Sequence, residues 1–322
     1  MEEGNVAVIG FCIEASHERG LGHLYKTLNF VEYLDGLNER YVVIVNDDPM
    51  ATSILKQRGV AYVTVNLSDT QSEWETRIIK QYGITTWIND RLDTDQRHAA
   101  DIKKHSVKLV TFDDHGPGAA LADIHFAPLV FSGKELLQGK RVLTGINYLV
   151  LSKEIAACRR QREHLNSIVV TLGGSDTYGV TLHVVALLKR LTKRATVVVG
   201  QSFQHHSELE QIVDGIFTVK RGVPSLIQEF MHHDLAITGG GVTPFEANAS
   251  GLPCIVTANE LHEIEIGQYL AGVGSSVYAG YYRALDEAVF SMDLDLNRMS
   301  RIGIEKIKTD GVGNVFRELK SL

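Results

Sequence analysis

A glycine-rich turn followed by a histidine is the stretch of this sequence best suited to chemistry. Gly20, Gly22 and His23 follow an apolar run with the composition of a strand, and apolar residues at helical spacing come after them. His23 is therefore expected in the first turn of a helix, where free N–H groups and the helix dipole disfavour imidazolium. A neutral imidazole there can accept a proton, and the charge of Lys26, on the same face, acts in the same direction. Simple capping of the helix by His23 is the alternative.

A second glycine loop follows another strand-like run. Gly173 and Gly174 come directly after Ile168–Leu172, and Ser175 and Asp176 complete the loop before a helical pattern begins. Exposed N–H groups of such a turn, together with the Ser175 hydroxyl, can cradle phosphate oxygens. The same segment would also suit a tight turn in which Ser175, Asp176 or Thr177 caps the next helix.

A third loop has three successive glycines, Gly239, Gly240 and Gly241. Thr243 suits the N-cap of the short helix that follows. Three glycines are more than a turn needs, which indicates a group that approaches the backbone closely, and a diphosphate at a helix N-terminus fits. Glu246, in the first helical turn, is placed to accept hydrogen bonds from a ribose diol; complementing the helix dipole is its alternative role.

Polar residues also follow other strands. The polar segment from Asn259 to Glu263 comes after an apolar run in the second half of the chain. Asp90, Arg91 and Asp113 hold equivalent positions in the first half. Carboxyl ends of parallel strands share one edge of a sheet, so these residues are candidates to line a ligand site. A solvated loop or helix-capping acids would explain them equally well.

Two series of short β-branched runs alternate with helical patterns, which predicts an α/β protein with two parallel sheets covered on both faces. The character of the sequence changes over 145–166, where a charged, helical stretch is expected at 153–164. We predict two doubly wound, Rossmann-like domains, 1–150 and 151–322, with ligands bound in an inter-domain cleft.

Composition excludes several classes of protein. The chain has 322 residues and a net charge of −7 without long basic runs, which disfavours nucleic acid or an anionic membrane as partner. Three scattered cysteines form no disulfide framework or zinc motif, and neither a signal peptide nor a membrane span is apparent, so a cytoplasmic protein is expected. The P-loop and dinucleotide fingerprints are absent. No metal and no cofactor are expected, and the sequence does not give the oligomeric state.

Taken together, the motifs resemble the UDP-sugar hydrolases of pseudaminic acid biosynthesis and the related spore-coat polysaccharide proteins. The resemblance covers most of the chain in order, through Glu14-Ala15-Ser16, Gly20-Leu21-Gly22-His23, Gly173 to Asp176, Gly240 to Glu246, Gly251-Leu252-Pro253 and Asn259-Glu260. It implies a GT-B-like fold, similar to that of the MurG glycosyltransferase. The chain departs from the family pattern at Lys26 (arginine), Arg91 (tyrosine), Phe245 (tryptophan) and Glu260 (glutamine).

By this resemblance His23 is the general base that activates water against the anomeric carbon of a UDP-sugar, with Lys26 and Asn259 as further catalytic residues. The remaining candidates, Gly20, Gly22, Arg91, Glu260 and the glycine loops with Thr243 and Glu246, would bind the nucleotide sugar. Hydrolysis in surface polysaccharide or nonulosonic acid biosynthesis is the first hypothesis. A glycosyltransferase with a UDP-sugar donor and a non-catalytic nucleotide-sugar-binding protein are the alternatives.

Overall fold

The computed structural model describes residues 7–15, 21–69, 71–200 and 202–322. The chain forms two compact units, one made of Met1–Leu151 with Asp310–Leu322 and the other of Ser152–Thr309. In the described part of the chain no helix combines the length and apolarity that a membrane span requires.

The first unit alternates strands and helices as predicted. Its strands are β1 (Val8–Ile13), β2 (Arg40–Asn46), β3 (Tyr62–Val65), β4 (Ile84–Asp90), β5 (Lys108–Phe112), β6 (Ile124–Ala127) and β7 (Val142–Thr144). Its first four helices are α1 (Gly22–Gly36), α2 (Pro49–Gln57), α3 (Trp74–Tyr82) and α4 (Gln96–Lys103). Over the described residues the strands form one parallel sheet in the order β3-β2-β1-β4-β5-β6-β7. Strand β7 was not predicted, because three half-buried residues are too few to show a pattern.

The second unit repeats this construction. Its strands are β8 (Ile168–Thr171), β9 (Ala195–Val199), β10 (Phe217–Arg221), β11 (Leu235–Gly239), β12 (Cys254–Ala258) and β13 (Ser276–Tyr281). Its helices are α5 (Glu154–Cys158), α6 (Val180–Arg190), α7 (His206–Ile212), α8 (Leu226–Phe230), α9 (Thr243–Ala249), α10 (Glu263–Val273) and α11 (Leu296–Lys306). In the part that the structure describes, the parallel strand order is β10-β9-β8-β11-β12-β13.

Each sheet reverses its direction of growth once, between β1 and β4 in the first unit and between β8 and β11 in the second. At such a switch point the segments after the two strands leave toward opposite faces of the sheet. A crevice then opens at the carboxyl ends of the strands, where open α/β sheets bind ligands. The topology therefore marks one candidate position in each unit.

The last helix, α12 (Gly311–Lys320), belongs to the first unit, so the predicted second domain of 151–322 is too long. Val312, Val315 and Leu319 on this helix join the core of the first unit. Gly311 packs against the backbone of Leu149 so closely that a side chain would not fit. Amphipathic spacing predicts that a helix is buried on one face, but it does not identify the core that buries it.

The predicted helix over 153–164 is also much shorter than expected. Only α5 is helical, and the chain then runs irregularly past Arg162, whose side chain is fully buried. Its guanidinium donates to the carbonyl oxygens of His233 at 3.2 Å, Phe230 at 2.7 Å and Ser250. Carbonyls at helix ends lack partners within the helix, so they can hold this cation. Burial, with the charge of Arg160 nearby, lowers the pKa of Arg162 to about 10.

Candidate functional site

His23 lies at the switch point of the first unit, on the helix that follows β1. Its Nδ1 is 2.7 Å from Oδ1 of Asp90, the last residue of β4. The Nζ of Lys26 is 2.9 Å from the same oxygen. The sequence indicated that His23 and Lys26 share one face of the helix, and both side chains do reach the same carboxylate. The pairing with Asp90 was not predicted, although its position at the end of a strand was noted.

Lys26 connects two carboxylates. Its Nζ also contacts Oδ2 of Asp113 at 3.0 Å and lies 4.9 Å from the centre of the Phe112 ring. Burial by itself lowers the pKa of Lys26, but Asp90 and Asp113 outweigh this effect and raise it. Conversely, burial raises the pKa of Asp90, yet Lys26 and His23 hold it below its usual value. The pair Lys26–Asp90 is therefore ionised at neutral pH.

An ionised Asp90 determines which nitrogen of His23 can react. The carboxylate accepts a hydrogen bond from Nδ1–H, so Nε2 is the nitrogen that can take a proton from a reactant. No hydrogen bond joins Nε2 to another side chain in the described ranges. This geometry is that of an oriented general base, in which a carboxylate holds the ring and its tautomer.

Hydrogen bonds behind Asp90 hold the end of β4 in place. Asn89, the preceding residue, accepts from Nε1 of Trp87 at 2.8 Å and donates to Oγ1 of Thr94 at 3.2 Å. The backbone N–H of Thr94 donates in turn to Asp114 at 2.9 Å. All four side chains of this network are buried. The network fixes the segment that carries Asp90, as a preorganised site requires.

The remaining candidates of the first unit are Gly20, Gly22 and Arg91. Gly22 is the first residue of α1, and a Cβ there would meet no atom within 4 Å, so packing does not require glycine. Gly20 lies outside the described residues. The Arg91 guanidinium lies beside the buried thiol of Cys12, where burial raises the pKa of the thiol to about 11 and Arg91 counteracts it. The Nε of Arg91 is buried without a hydrogen-bond partner.

In the second unit, the loop after β8 begins with two accessible glycines and ends with an aspartate that caps the next helix. Gly173 has a φ of +103°, and a Cβ at Gly173 or Gly174 would meet nothing within 4 Å. Asp176 instead accepts the N–H groups of Val180 and Thr181, both at 2.8 Å. The helix-capping alternative is therefore correct for Asp176. Its carboxylate is committed to α6, while the two glycines before it remain accessible.

Packing within the unit accounts for two of the three glycines at the end of β11. A Cβ at Gly239 would lie 2.6 Å from Nδ2 of Asn259, and one at Gly240 would lie 2.6 Å from Cβ of Glu263. At Gly241 no atom lies within 4 Å of such a Cβ. Packing therefore explains why residues 239 and 240 are glycine, and Gly241 is the position of this loop that packing leaves open.

Glu263 holds this loop, a role that the sequence did not predict. Its Oε2 accepts the backbone N–H of Gly240 at 3.2 Å and that of Asn259 at 2.6 Å. The Asn259 side chain donates to the carbonyl of Leu172 at 3.1 Å, and its Oδ1 is buried without a hydrogen-bond partner. Glu260 is exposed and lies 3.4 Å from Nδ1 of His262. Its place in a polar segment at the carboxyl end of a strand was the signal for Glu263 in the sequence.

Helix α9 begins at Thr243, with Val242 at the N-cap, so the prediction that Thr243 caps this helix is wrong. The carboxylate of Glu246, in its first turn, has no hydrogen-bond partner among the described residues. Burial, with a smaller contribution from Glu154, raises the pKa of Glu246 to about 7. A half-buried carboxylate without a partner can accept hydrogen bonds from a ligand.

Comparison with known proteins identifies distant relatives. No protein-family model matches the chain. An uncharacterized protein of Methanocaldococcus jannaschii is 25% identical over 292 residues, which span 83% of this chain and 59% of that protein. The spore coat polysaccharide biosynthesis protein SpsG of Bacillus subtilis is 22% identical over 295 residues, 84% of this chain and 83% of SpsG. The match thus covers less than two thirds of the archaeal protein.

Solved structures match over nearly the whole chain. MurG of Acinetobacter baumannii superposes with a TM-score of 0.68 at 12% identity, covering 98% of this chain and 99% of MurG. MnaA of S. aureus, solved with UDP, gives 0.65 at 14% identity, covering 98% and 96%. The spinosyn rhamnosyltransferase SpnG, solved with thymidine diphosphate, gives 0.60 at 12% identity, covering 98% and 100%. The fold is that of the GT-B glycosyltransferases.

Proposed function

We propose that this protein transfers a sugar from a nucleoside diphosphate, UDP in the first instance, to a hydroxyl group during polysaccharide biosynthesis. The observation that carries the proposal is the hydrogen bond of 2.7 Å between His23 and Asp90 at the switch point of the first sheet. It provides an oriented base at the place where such sheets bind ligands. The name of SpsG, and the nucleotides bound to MnaA and SpnG, support the substrate class.

In the proposed reaction His23 Nε2 removes the proton of the acceptor hydroxyl. The acceptor oxygen forms a bond to the anomeric carbon, and the bond from that carbon to the diphosphate oxygen breaks, so that the nucleoside diphosphate leaves with the electron pair. Asp90 stabilises the imidazolium that forms, as a carboxylate behind a catalytic histidine does. Lys26 positions Asp90 through its contact of 2.9 Å.

The second unit would bind the nucleotide. The N–H groups around Gly173 and Gly174, with the Ser175 hydroxyl and Gly241, are the open donors that we assign to the diphosphate. The partnerless carboxylate of Glu246 is assigned to the ribose hydroxyls. Asp176 and Glu263 are excluded from phosphate binding, because both are carboxylates that already accept backbone N–H groups.

Hydrolysis is the second candidate, and one observation favours it. The His23 side chain is only 14% exposed, and that of Asp90 is 3% exposed. A base this enclosed is reached most readily by a small nucleophile, and water is the smallest. The same residues would serve both reactions, since only the molecule that carries the attacking oxygen differs.

The two reactions can be separated in one experiment. The protein is incubated with UDP-glucose, UDP-N-acetylglucosamine and UDP-N-acetylgalactosamine in ¹⁸O-labelled water, with and without short oligosaccharide acceptors. Release of UDP that requires an acceptor identifies transfer, whereas release without one, with ¹⁸O at the anomeric position, identifies hydrolysis. Absence of UDP release under all of these conditions would contradict the proposed catalytic role.

A further inference from the structure

We propose that the exposed ring face of Tyr178 is a stacking subsite for a pyranose ring of the substrate. Tyr178 follows Asp176 by two positions, next to the open glycine loop at the carboxyl end of β8. The inference rests on the proposed function, because it assigns the sugar part of the same substrate. No residue of this subsite was a candidate in the sequence.

The subsite is built from aromatic rings that support one another. Tyr178 stacks on Tyr282, with ring centres 5.1 Å apart and planes 19° from parallel. Tyr281 meets the edge of Tyr282 at 4.7 Å. The Arg283 guanidinium lies 5.4 Å from the centre of the Tyr282 ring, and its Nε donates to the Tyr282 hydroxyl at 2.8 Å. We call these four residues the tyrosine platform.

The tyrosine platform is anchored at both ends. Tyr282 packs against the buried cluster of the second unit, which includes Val180 and Val184 of α6. The carboxylate of Asp176 holds the start of α6, and with it the segment that carries Tyr178. The ring of Tyr178 is therefore positioned before any ligand arrives, which reduces the entropy lost on binding.

One face of Tyr178 is left open. Tyr282 covers one side of the ring, yet the residue as a whole is still 46% exposed, and we assign the open surface to the other side of the ring. A large aromatic face held rigidly in water beside a predicted ligand loop is typical of a binding surface. Sugar rings present C–H groups on their faces, which pack on aromatic rings, and hydroxyls at their edges, which the exposed Arg283 can meet.

The position of Glu246 favours a sugar over the nucleobase as the occupant. Helix α6 packs on the face of the sheet that includes Ile255, whereas the Pro244 carbonyl of α9 approaches Cys254, the preceding residue. Adjacent residues of a strand point to opposite faces, so α6 and α9 lie on opposite sides of the sheet. If the ribose lies at Glu246 and the diphosphate at Gly173 and Gly174, Tyr178 is on the side of the diphosphate opposite to the nucleobase.

The test compares the wild type with Tyr178→Ala and Tyr178→Phe, which keeps the ring. Calorimetry measures the affinities for UDP and UDP-N-acetylglucosamine, and saturation-transfer NMR detects binding of an N-acetylglucosamine disaccharide. We expect Tyr178→Ala to weaken either the UDP-sugar or the disaccharide by about fivefold, the size of one lost aromatic contact. UDP affinity should not change, and Tyr178→Phe should behave as the wild type.

The arms of the experiment separate the possible results. Weaker binding of the UDP-sugar alone identifies the donor sugar as the occupant, and weaker binding of the disaccharide alone identifies the acceptor. Unchanged binding of both would overturn the subsite, and so would an equal loss for UDP, which would indicate base stacking. If wild type binds neither UDP nor the UDP-sugar, the proposed function fails, while the disaccharide arm still tests Tyr178 on its own.

Discussion

At the scale of single residues, the sequence predicted which side chains could react but not their partners. His23 and Lys26 were placed on one helical face by their spacing, and both contact Asp90. The partner itself lies 67 positions away from His23, and only the strand order brings it there. Asp176 and Thr243 show the limit of such reasoning, because a polar residue before a helix can cap it, bind a ligand or do neither.

Asp90→Asn tests whether the carboxylate orients the histidine. The amide keeps the size of the side chain but removes the charge, so His23 is no longer held as the tautomer with a free Nε2. We expect UDP release from the preferred UDP-sugar to slow by about 100-fold or more. UDP affinity, measured by calorimetry, should stay within about twofold of the wild type. Asp113→Asn, which leaves the bond to His23 intact, should lose less activity.

Glu246 gives the protein a specific dependence of stability on pH. Its pKa is raised from 4.5 to about 7 in the folded protein. The contribution of the protonated side chain to the free energy of unfolding is therefore full below pH 4.5 and is lost as the pH rises through 7. The wild type should therefore lose about 2 kcal/mol of unfolding free energy relative to Glu246→Gln between pH 5 and pH 8. Urea denaturation of both proteins at the two pH values measures this difference.

Glu135, which is exposed, provides the control for that comparison. Glu135→Gln should follow the wild type at both pH values, since folding leaves this side chain on the surface. A Glu246→Gln protein whose stability changes with pH just as the wild type does would contradict the burial of this carboxylate.

At the scale of elements, strands and most helices can be predicted from periodicity, because each buries one face and its apolar residues recur at the spacing of that face. The glycine loop at the end of β11 was harder to interpret. Its three glycines look alike in the sequence, yet Gly239 and Gly240 lie close against Asn259 and Glu263, and of the three only Gly241 is open. The prediction of a helix over 153–164 was wrong for a similar reason. A charged residue such as Arg162 usually indicates a solvated helix surface, but Arg162 is buried.

Gly240→Ala and Gly241→Ala form a matched pair that tests this distinction. The new methyl group at 240 would meet Cβ of Glu263 at 2.6 Å and its carbonyl oxygen at 2.8 Å. We expect Gly240→Ala to lower the free energy of unfolding by about 1–3 kcal/mol. Gly241→Ala should stay within about 0.5 kcal/mol of the wild type in urea denaturation. Equal destabilisation by the two substitutions would contradict the packing role of Gly240.

At the scale of the whole molecule, the alternation of strands and helices predicted two parallel sheets, and this was correct. The assignment of the last helix was not, because α12 returns to the first unit and buries its apolar face there. A local sequence pattern cannot predict which core buries a helix, since that depends on where the chain lies after folding. The GT-B fold itself was expected from the resemblance and is confirmed by the match to MurG.

Leu319→Ala tests the place of α12 in the first unit. Leu319 is buried in the core cluster that includes residues of β1 and α1, so truncating it should cost about 2–4 kcal/mol. Hydrogen exchange measured by mass spectrometry should rise in peptides covering β1 and α1, with little change in β8 and α6. Leu37→Ala, at an exposed position of the same unit, is the control. Faster exchange confined to the second unit would contradict this assignment.

The central claim is that His23 acts as the base in nucleotide-sugar cleavage. The most direct measurement compares UDP release and UDP binding in the wild type and in His23→Ala, under the conditions in which the wild type is active. We predict that release falls by at least about 100-fold while UDP binds with unchanged affinity. A His23→Ala protein that releases UDP at the wild-type rate would contradict the account.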